Sequence, residues 1–370
     1  MHELDTITVY GFKSIAAMRE LKLRAINVVI GPNGAGKSNF IEVFSFLHAL
    51  REGHLQDYVA RAGGADRILH FGSDTTPELR IHVSFENEKN QYEITLGANE
   101  SDQLYPRSET VHFWDAHDTF FSETVPRRGM EVGISDSSLG REGKYIRHHL
   151  NRWRVYHFED AGAGSPMKKT ADVHDNRYLR PDASNIAPFL YLLRERHRTQ
   201  YELIRRTVRL MAPFFDDFLL EPQRLNPEKI RLEWKHQGSE QYFDAASLST
   251  GTLRFIALAT LFLQPVEYRP SVILVDEPEL GLHPQAITLL ASLVRQAAVH
   301  TQVIVSTQSP LLLDQFDPED VLVAQRVEGG TEFTRLESAP LAEWLEDYSL
   351  GDLWQKNEIG GWPRGERPRG

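Results

Sequence analysis

The chain has 370 residues, 41% hydrophobic, 10% aromatic and 25% charged, which is enough to bury a sizeable core and unlike a long disordered segment. It contains no cysteine, which excludes a disulfide framework, a thiolate nucleophile and a zinc–thiolate centre. A formal net charge of -11 repels phosphate on average, so any nucleic-acid contact requires a local basic patch.

The opening Met1-His2-Glu3-Leu4-Asp5 has neither the basic nor the apolar region of an export signal. No apolar run approaches the roughly 20 residues of a membrane span. The expectation is a soluble, cytoplasmic protein without a membrane partner.

Short β-rich runs occupy Ile7 to Ile30, and the last of them, Ile26-Asn27-Val28-Val29-Ile30, is apolar enough for a buried central strand. Gly31-Pro32-Asn33-Gly34-Ala35-Gly36-Lys37-Ser38 follows, and then Phe40, Val43, Phe44, Leu47 and Leu50 recur at helical spacing. Strand, glycine loop and helix in that order form the context of a P-loop. Its glycines let successive backbone N–H groups face phosphate oxygens, Lys37 reaches the β- and γ-phosphates, and Ser38 ligates Mg²⁺.

Alternation in Leu79–Phe85 and Tyr92–Leu96, with a polar turn between, predicts an antiparallel hairpin. Gly129 to Gly143 and Ala161 to Asp175 read as loops. Two helices are expected between Asn185 and Phe218, with Arg194, Arg196, Arg198, Arg205, Arg206 and Arg209 off their apolar faces. These arginines either track a phosphate backbone or form a solvated face paired with Glu195 and Glu202.

Helix, strand, helix and strand then follow at Ser247 to Leu263, Ser271 to Val275, Pro284 to Val299 and Gln302 to Val305, the rhythm of a parallel sheet. Val272-Ile273-Leu274-Val275-Asp276-Glu277 has the form of a Walker B strand, in which Asp276 serves Mg²⁺ and Glu277 polarises the attacking water. Leu248-Ser249-Thr250-Gly251-Thr252 precedes a helix about 25 residues before those acids. Alone it is a good N-cap; after a P-loop and before a Walker B strand it has the order of a signature motif that grips a γ-phosphate.

Gly11-Phe12-Lys13-Ser14, the P-loop, the Ser249 motif and Asp276-Glu277-Pro278-Glu279-Leu280-Gly281-Leu282-His283-Pro284 together resemble the ATPase heads of RecF and SMC proteins, over roughly residues 5 to 325. They also resemble the stand-alone predicted AAA-family ATPases and the ATPase head of the OLD family. Only about 60 residues follow Gln308, without the acidic cluster of the OLD family's Toprim nuclease.

The resemblance implies an α/β P-loop NTPase of the ABC type, a mixed sheet with an antiparallel β insertion at about 79–150 and a helical insertion at about 183–220. Residues 326–370 would form a C-terminal extension with a disordered tail. The implied cofactors are ATP and Mg²⁺, and the implied assembly is a head-to-head homodimer in which one copy's P-loop faces the other's Ser249.

By position, the implied nucleotide-binding residues are Lys13, Gly31, Asn33, Gly34, Gly36, Lys37, Ser38, Asn39, Ser249, Gly251 and Thr252. Glu277, Lys37 and Gln308 are the catalytic set, and Ser38, Asp276 and Asp160 the metal set. Leu280, Gly281 and Leu282 take the place of the dimer-interface D-loop.

Two positions depart from the family pattern. The Q-loop segment Arg154 to Asp160 has no glutamine, leaving Glu159, Asp160 or His157 to serve the metal or water, or the segment to be a surface turn. Gln308 stands where histidine is usual; it can donate a hydrogen bond to a phosphate but cannot carry a proton, which implies slow turnover. The implied function is an ATP-dependent clamp or switch in DNA repair or maintenance. The alternative is a nucleotide-sensing ATPase of an antiphage defence system, working with a separate effector such as a nuclease.

Overall fold

Apolar runs, helical spacing and glycine breaks set the elements in a computed structural model that describes residues 4–114, 119–126, 129–158, 162 and 164–360. The strands in chain order begin with β1 (Leu4–Phe12), β2 (Ile15–Lys22), β3 (Ile26–Ile30), β4 (Glu78–Phe85), β5 (Asn90–Ala98), β6 (Leu104–Trp114), β7 (Phe120–Thr124) and β8 (Trp153–Tyr156). They continue with β9 (Ala171–Asp172), β10 (Phe215–Leu219), β11 (Lys229–Ile230), β12 (Glu233–His236), β13 (Tyr242–Asp244), β14 (Val272–Asp276), β15 (Gln302–Thr307), β16 (Val321–Val327) and β17 (Gly330–Arg335). The principal helices are α1 (Lys37–Glu52), α2 (Leu55–Ala62), α3 (Arg141–Asn151), α4 (Ile186–Arg196), α5 (Arg198–Met211), α6 (Thr250–Leu263) and α7 (Pro284–Ala298).

The chain divides into two compact units, the first comprising Met1–Val155, Ser271–Leu274 and Gln302–Gly370, the second Tyr156–Pro270 and Val275–Thr301. The first unit holds an antiparallel sheet of order β2-β1-β4-β5-β6-β7. Its alternating strands turn Leu79, Ile81 and Val83 inward, as a half-buried sheet requires.

A mixed sheet of order β17-β16-β3-β15-β14-β8 contains the parallel pairs β3–β15 and β3–β16 and the antiparallel pair β16–β17. The final residues of β8 and β14 are counted with the second unit. All five residues of β3 are buried, the pattern of a strand covered on both faces. Helix α1 buries Phe40, Val43, Phe44, Leu47 and Leu50 along one stripe and stops at Gly53, whose φ of 77° makes a left-handed cap.

In the second unit α6 is apolar around nearly its whole circumference and packs against α5 and α7, which makes it that unit's central helix. Helix α7 starts at Pro284, where a missing N–H costs nothing, under a cap from His283. A small sheet, β10-β12-β13, lies beside α5, and β9 pairs with β11. No described helix is long and apolar enough to cross a membrane.

Candidate functional site

In the first unit β3 delivers the chain into the loop Gly31–Gly36, and α1 begins at Lys37. Gly36 is the N-cap and offers no side-chain acceptor, so the first-turn N–H groups of α1 are not capped by it and can meet an anion. Asn33, Gly34 and Ser38 are exposed at the surface of this loop. Lys37 is only 5% exposed; its Nζ donates to Gly31 O at 2.8 Å and Pro32 O at 3.2 Å. The ammonium is thus folded over the loop it would serve.

Gly36 has φ +103°, and a Cβ there would lie 2.2 Å from Thr331 Oγ1 and 2.7 Å from Ser14 Oγ. Both dihedral and space therefore demand glycine. Ser14 Oγ also receives Asn39 Nδ2 at 2.6 Å and the Thr331 hydroxyl at 2.7 Å, while Thr331 N donates to Ser14 O at 2.7 Å. The turn between β1 and β2, the start of β17 and the first turn of α1 consequently form one hydrogen-bonded rim beside the glycine loop.

Lys13, in the left-handed region at φ 49°, is held by its N–H on Ile68 O at 2.7 Å. Its ammonium is ion-paired with Glu42 on α1, which in turn accepts the Tyr58 hydroxyl at 2.7 Å. Burial, then the bond to Glu42, pushes the Tyr58 phenol up. The cation expected beside phosphates is here balanced by a carboxylate.

Gln308 leaves β15 just after Thr307, and Thr307 is paired in parallel register with Ile30, the residue before Gly31. Gln308 and the glycine loop therefore emerge from the same end of adjacent strands. Ser309 accepts Leu312 N at 3.3 Å and caps the turn Pro310–Leu313.

In the second unit Ser249 caps α6: its Oγ accepts Thr252 N at 3.1 Å and lies 2.8 Å from Thr252 Oγ1. A Cβ on Gly251 would lie 2.2 Å from Gly281 O, so only glycine lets the helix tip approach the loop that follows β14. Arg254, 9% exposed, donates from Nε to Phe158 O at 2.9 Å and from Nη1 to Leu280 O. Its fork ties the segment ahead of Glu159 to that same loop.

Asp276 ends β14 and Glu277 follows at φ 43°, a strained position for a non-glycine residue and one that strain-bearing sites favour. Both are half-buried. Glu159 and Asp160 lie outside the described residues, and His157 donates its backbone N–H to Pro181 O at 3.0 Å.

The arginines of α4 and α5 are extensively paired. Arg198 and Arg205 meet Glu202 at 2.7 and 3.0 Å, Arg209 meets Asp216 at 3.4 Å, and Arg194 meets Glu195 at 3.2 Å and donates to Leu220 O at 2.9 Å. Of the two readings open from sequence, the paired face is the one observed at these four side chains. Sequence reasoning named Glu195 and Glu202 but missed Asp216, as it missed Glu42, Thr331 and Arg254.

The family described as "AAA domain, putative AbiEii toxin, Type IV TA system" matches residues 26–314. The Chromosome partition protein Smc of Mycobacterium tuberculosis (strain ATCC 25618 / H37Rv) is 28% identical over 148 residues, which is 38% of this chain and 11% of that protein. The chain thus matches only about a tenth of that relative's length. An Smc head bound to the C-winged helix domain of ScpA superposes with a TM-score of 0.59 at 15% identity, covering 90% of this chain and 98% of that one. The Smc head with an extended coiled coil bound to the C-terminal domain of ScpA, from Pyrococcus furiosus, gives 0.55 at 14% identity over 94% and 99%. The fold is like that of an Smc head.

Proposed function

The chain belongs to the AAA-domain family that matches residues 26–314, and from that membership we propose that it binds ATP with Mg²⁺, hydrolyses it slowly, and uses the nucleotide to join two copies head to head. The observation that carries this reading is the glycine loop between β3 and α1, with uncapped helix N–H groups and the Lys37 ammonium seated over it. Such a loop neutralises a triphosphate through backbone dipoles and one cation.

The residues proposed to serve the metal are the Ser38 hydroxyl and the Asp276 carboxylate, each an oxygen donor. Mg²⁺ suits oxygen donors of this kind because it keeps several waters and takes phosphate oxygens. When bound it would polarise the β- and γ-phosphates. Glu277 would accept a proton from the attacking water, and Gln308 would donate to the γ-phosphate without moving a proton. Ser249, Gly251 and Thr252 would meet the γ-phosphate of a nucleotide held by the second copy, which gives the paired state its extra contact.

The test is molecular mass by light scattering. Glu277→Gln with ATP and Mg²⁺ should be dimeric and revert on nucleotide removal; a monomer under both conditions refutes the shared site.

As the target of the switch we propose DNA, which is supported by the likeness to a chromosome partition protein. The pairing of Arg194, Arg198, Arg205 and Arg209 with carboxylates and backbone speaks against α4 and α5 as the contact. A second reading, a defence ATPase in the cytoplasm acting through a separate effector, is favoured by the family's description as a putative toxin of a Type IV TA system. Salt-dependent DNA binding by this chain alone supports the first, and nucleotide-dependent co-purification with an encoded neighbour supports the second.

A further inference from the structure

Phe71 is 62% exposed and holds φ at 57°. The left-handed region disfavours a side chain of this size, and exposure gains too little burial to offset the cost. Such outliers gather where a ligand is bound.

Local bonds hold the segment in place. His70 N donates to Gly11 O at 3.1 Å and Gly72 N to Leu69 O at 3.1 Å, while His70 Nδ1 meets Lys13 O at 2.6 Å. The Phe71 and His70 ring centroids are 4.4 Å apart. A Cβ built on Gly329 would lie 3.1 Å from Phe71 Cζ.

Two chain segments thus connect this ring to the glycine loop, all within the first unit. Gly329 precedes by two residues Thr331, whose hydroxyl borders Gly36, and Lys13 precedes Ser14, which borders the same glycine. Two residues of chain span at most roughly 7 Å, so the ring lies within a short reach of the rim. The ring offers an exposed apolar face against Gly329, two residues along the chain from a rim otherwise built of hydroxyls and backbone.

We infer that Phe71 is the base-stacking residue of the nucleotide site, the purine lying face-on against its ring. The inference rests on the phosphate-binding reading of Gly31–Ser38. Stacking needs no donor or acceptor and tolerates any base, so the ring adds affinity for ATP and GTP alike and none for the phosphate chain alone.

The test is calorimetric titration of the full chain with ATP, GTP and tripolyphosphate, each with Mg²⁺, using wild type, Phe71→Ala and Phe71→Trp. Phe71→Ala should weaken both nucleotides about 5- to 150-fold and leave tripolyphosphate unaltered, while Phe71→Trp should retain nucleotide affinity. An unchanged ATP affinity in Phe71→Ala overturns the inference, as does an equal loss for tripolyphosphate or a loss confined to self-association. Wild type binding tripolyphosphate as tightly as ATP overturns the stacking role alone. Wild type binding neither overturns the phosphate-binding reading and this inference with it. Because the side chain is exposed, Phe71→Ala should unfold at the wild-type temperature, which separates lost stacking from lost fold.

Discussion

Replacing Gly251 by alanine places a methyl group 2.2 Å from Gly281 O. Ordinary carbon–oxygen contact begins at about 3.3 Å, so the overlap is roughly 1 Å, and both sides are backbone with no rotamer to relieve it. Overpacking of this kind costs about 1–3 kcal/mol, and an overlap against a carbonyl belongs at the upper end. Alanine returns at most about 1 kcal/mol of helix propensity, and less in the first turn of α6. The net loss is about 2 kcal/mol, or, at about 2.1 cal/mol/K per residue over the whole chain, a melting temperature lowered by roughly 3 °C. The assay is thermal unfolding followed by circular dichroism, with the neighbouring exposed Thr250→Ala as a control expected within about 0.5 kcal/mol of wild type. A Gly251→Ala protein as stable as wild type would show that α6 and the Gly281 loop are not in the contact described.

Other substitutions test separate parts of the account. Lys37→Met should reduce turnover about 10²- to 10³-fold by removing the ammonium seated over the loop, measured as phosphate release; an active variant refutes its role. Arg254→Ala leaves the carbonyls of Phe158 and Leu280 without their donor and should cost about 2–4 kcal/mol, seen in urea denaturation, with Arg254→Lys only partly restoring stability because it lacks the fork. The imidazole of His48 is held below its ordinary value by burial, then by Arg154. A depressed base binds fewer protons folded than unfolded, so its contribution is full above pH 6.5 and is lost as pH falls through the folded value. Melting temperature measured from pH 8 to 5 should therefore drop more steeply for wild type than for His48→Gln, and parallel curves would refute the assignment.

How far the sequence disclosed these features follows the distance over which each is encoded. The strand, glycine loop and helix from Ile26 to Leu50 are contiguous, and their spacing alone locates the loop between β3 and α1. The Ser249 cap is likewise local. Thr331 was illegible because its contact with Ser14 joins residues 317 apart through the packing of β17 beside β2. Glu42 sits on α1 at a position with no pattern of its own, and only the fold brings Lys13 to it. The arginine helices were half legible: Glu202 lies one turn from Arg198 and Arg205, whereas Asp216 arrives on the following strand, β10. Arg254 looks like an error in an apolar helix until the two carbonyls it serves are seen.

The seat of Lys37 on Gly31 and Pro32 has a consequence for exchange. Lys37 fastens the loop onto its own carbonyls, so a triphosphate bound there would trade partners with them, and its affinity would be the difference between the two sets of bonds. Departure would be eased by the same carbonyls, which would recapture the ammonium as the phosphate left. A loop that satisfies itself in this way would favour a ligand that comes and goes over one that is kept.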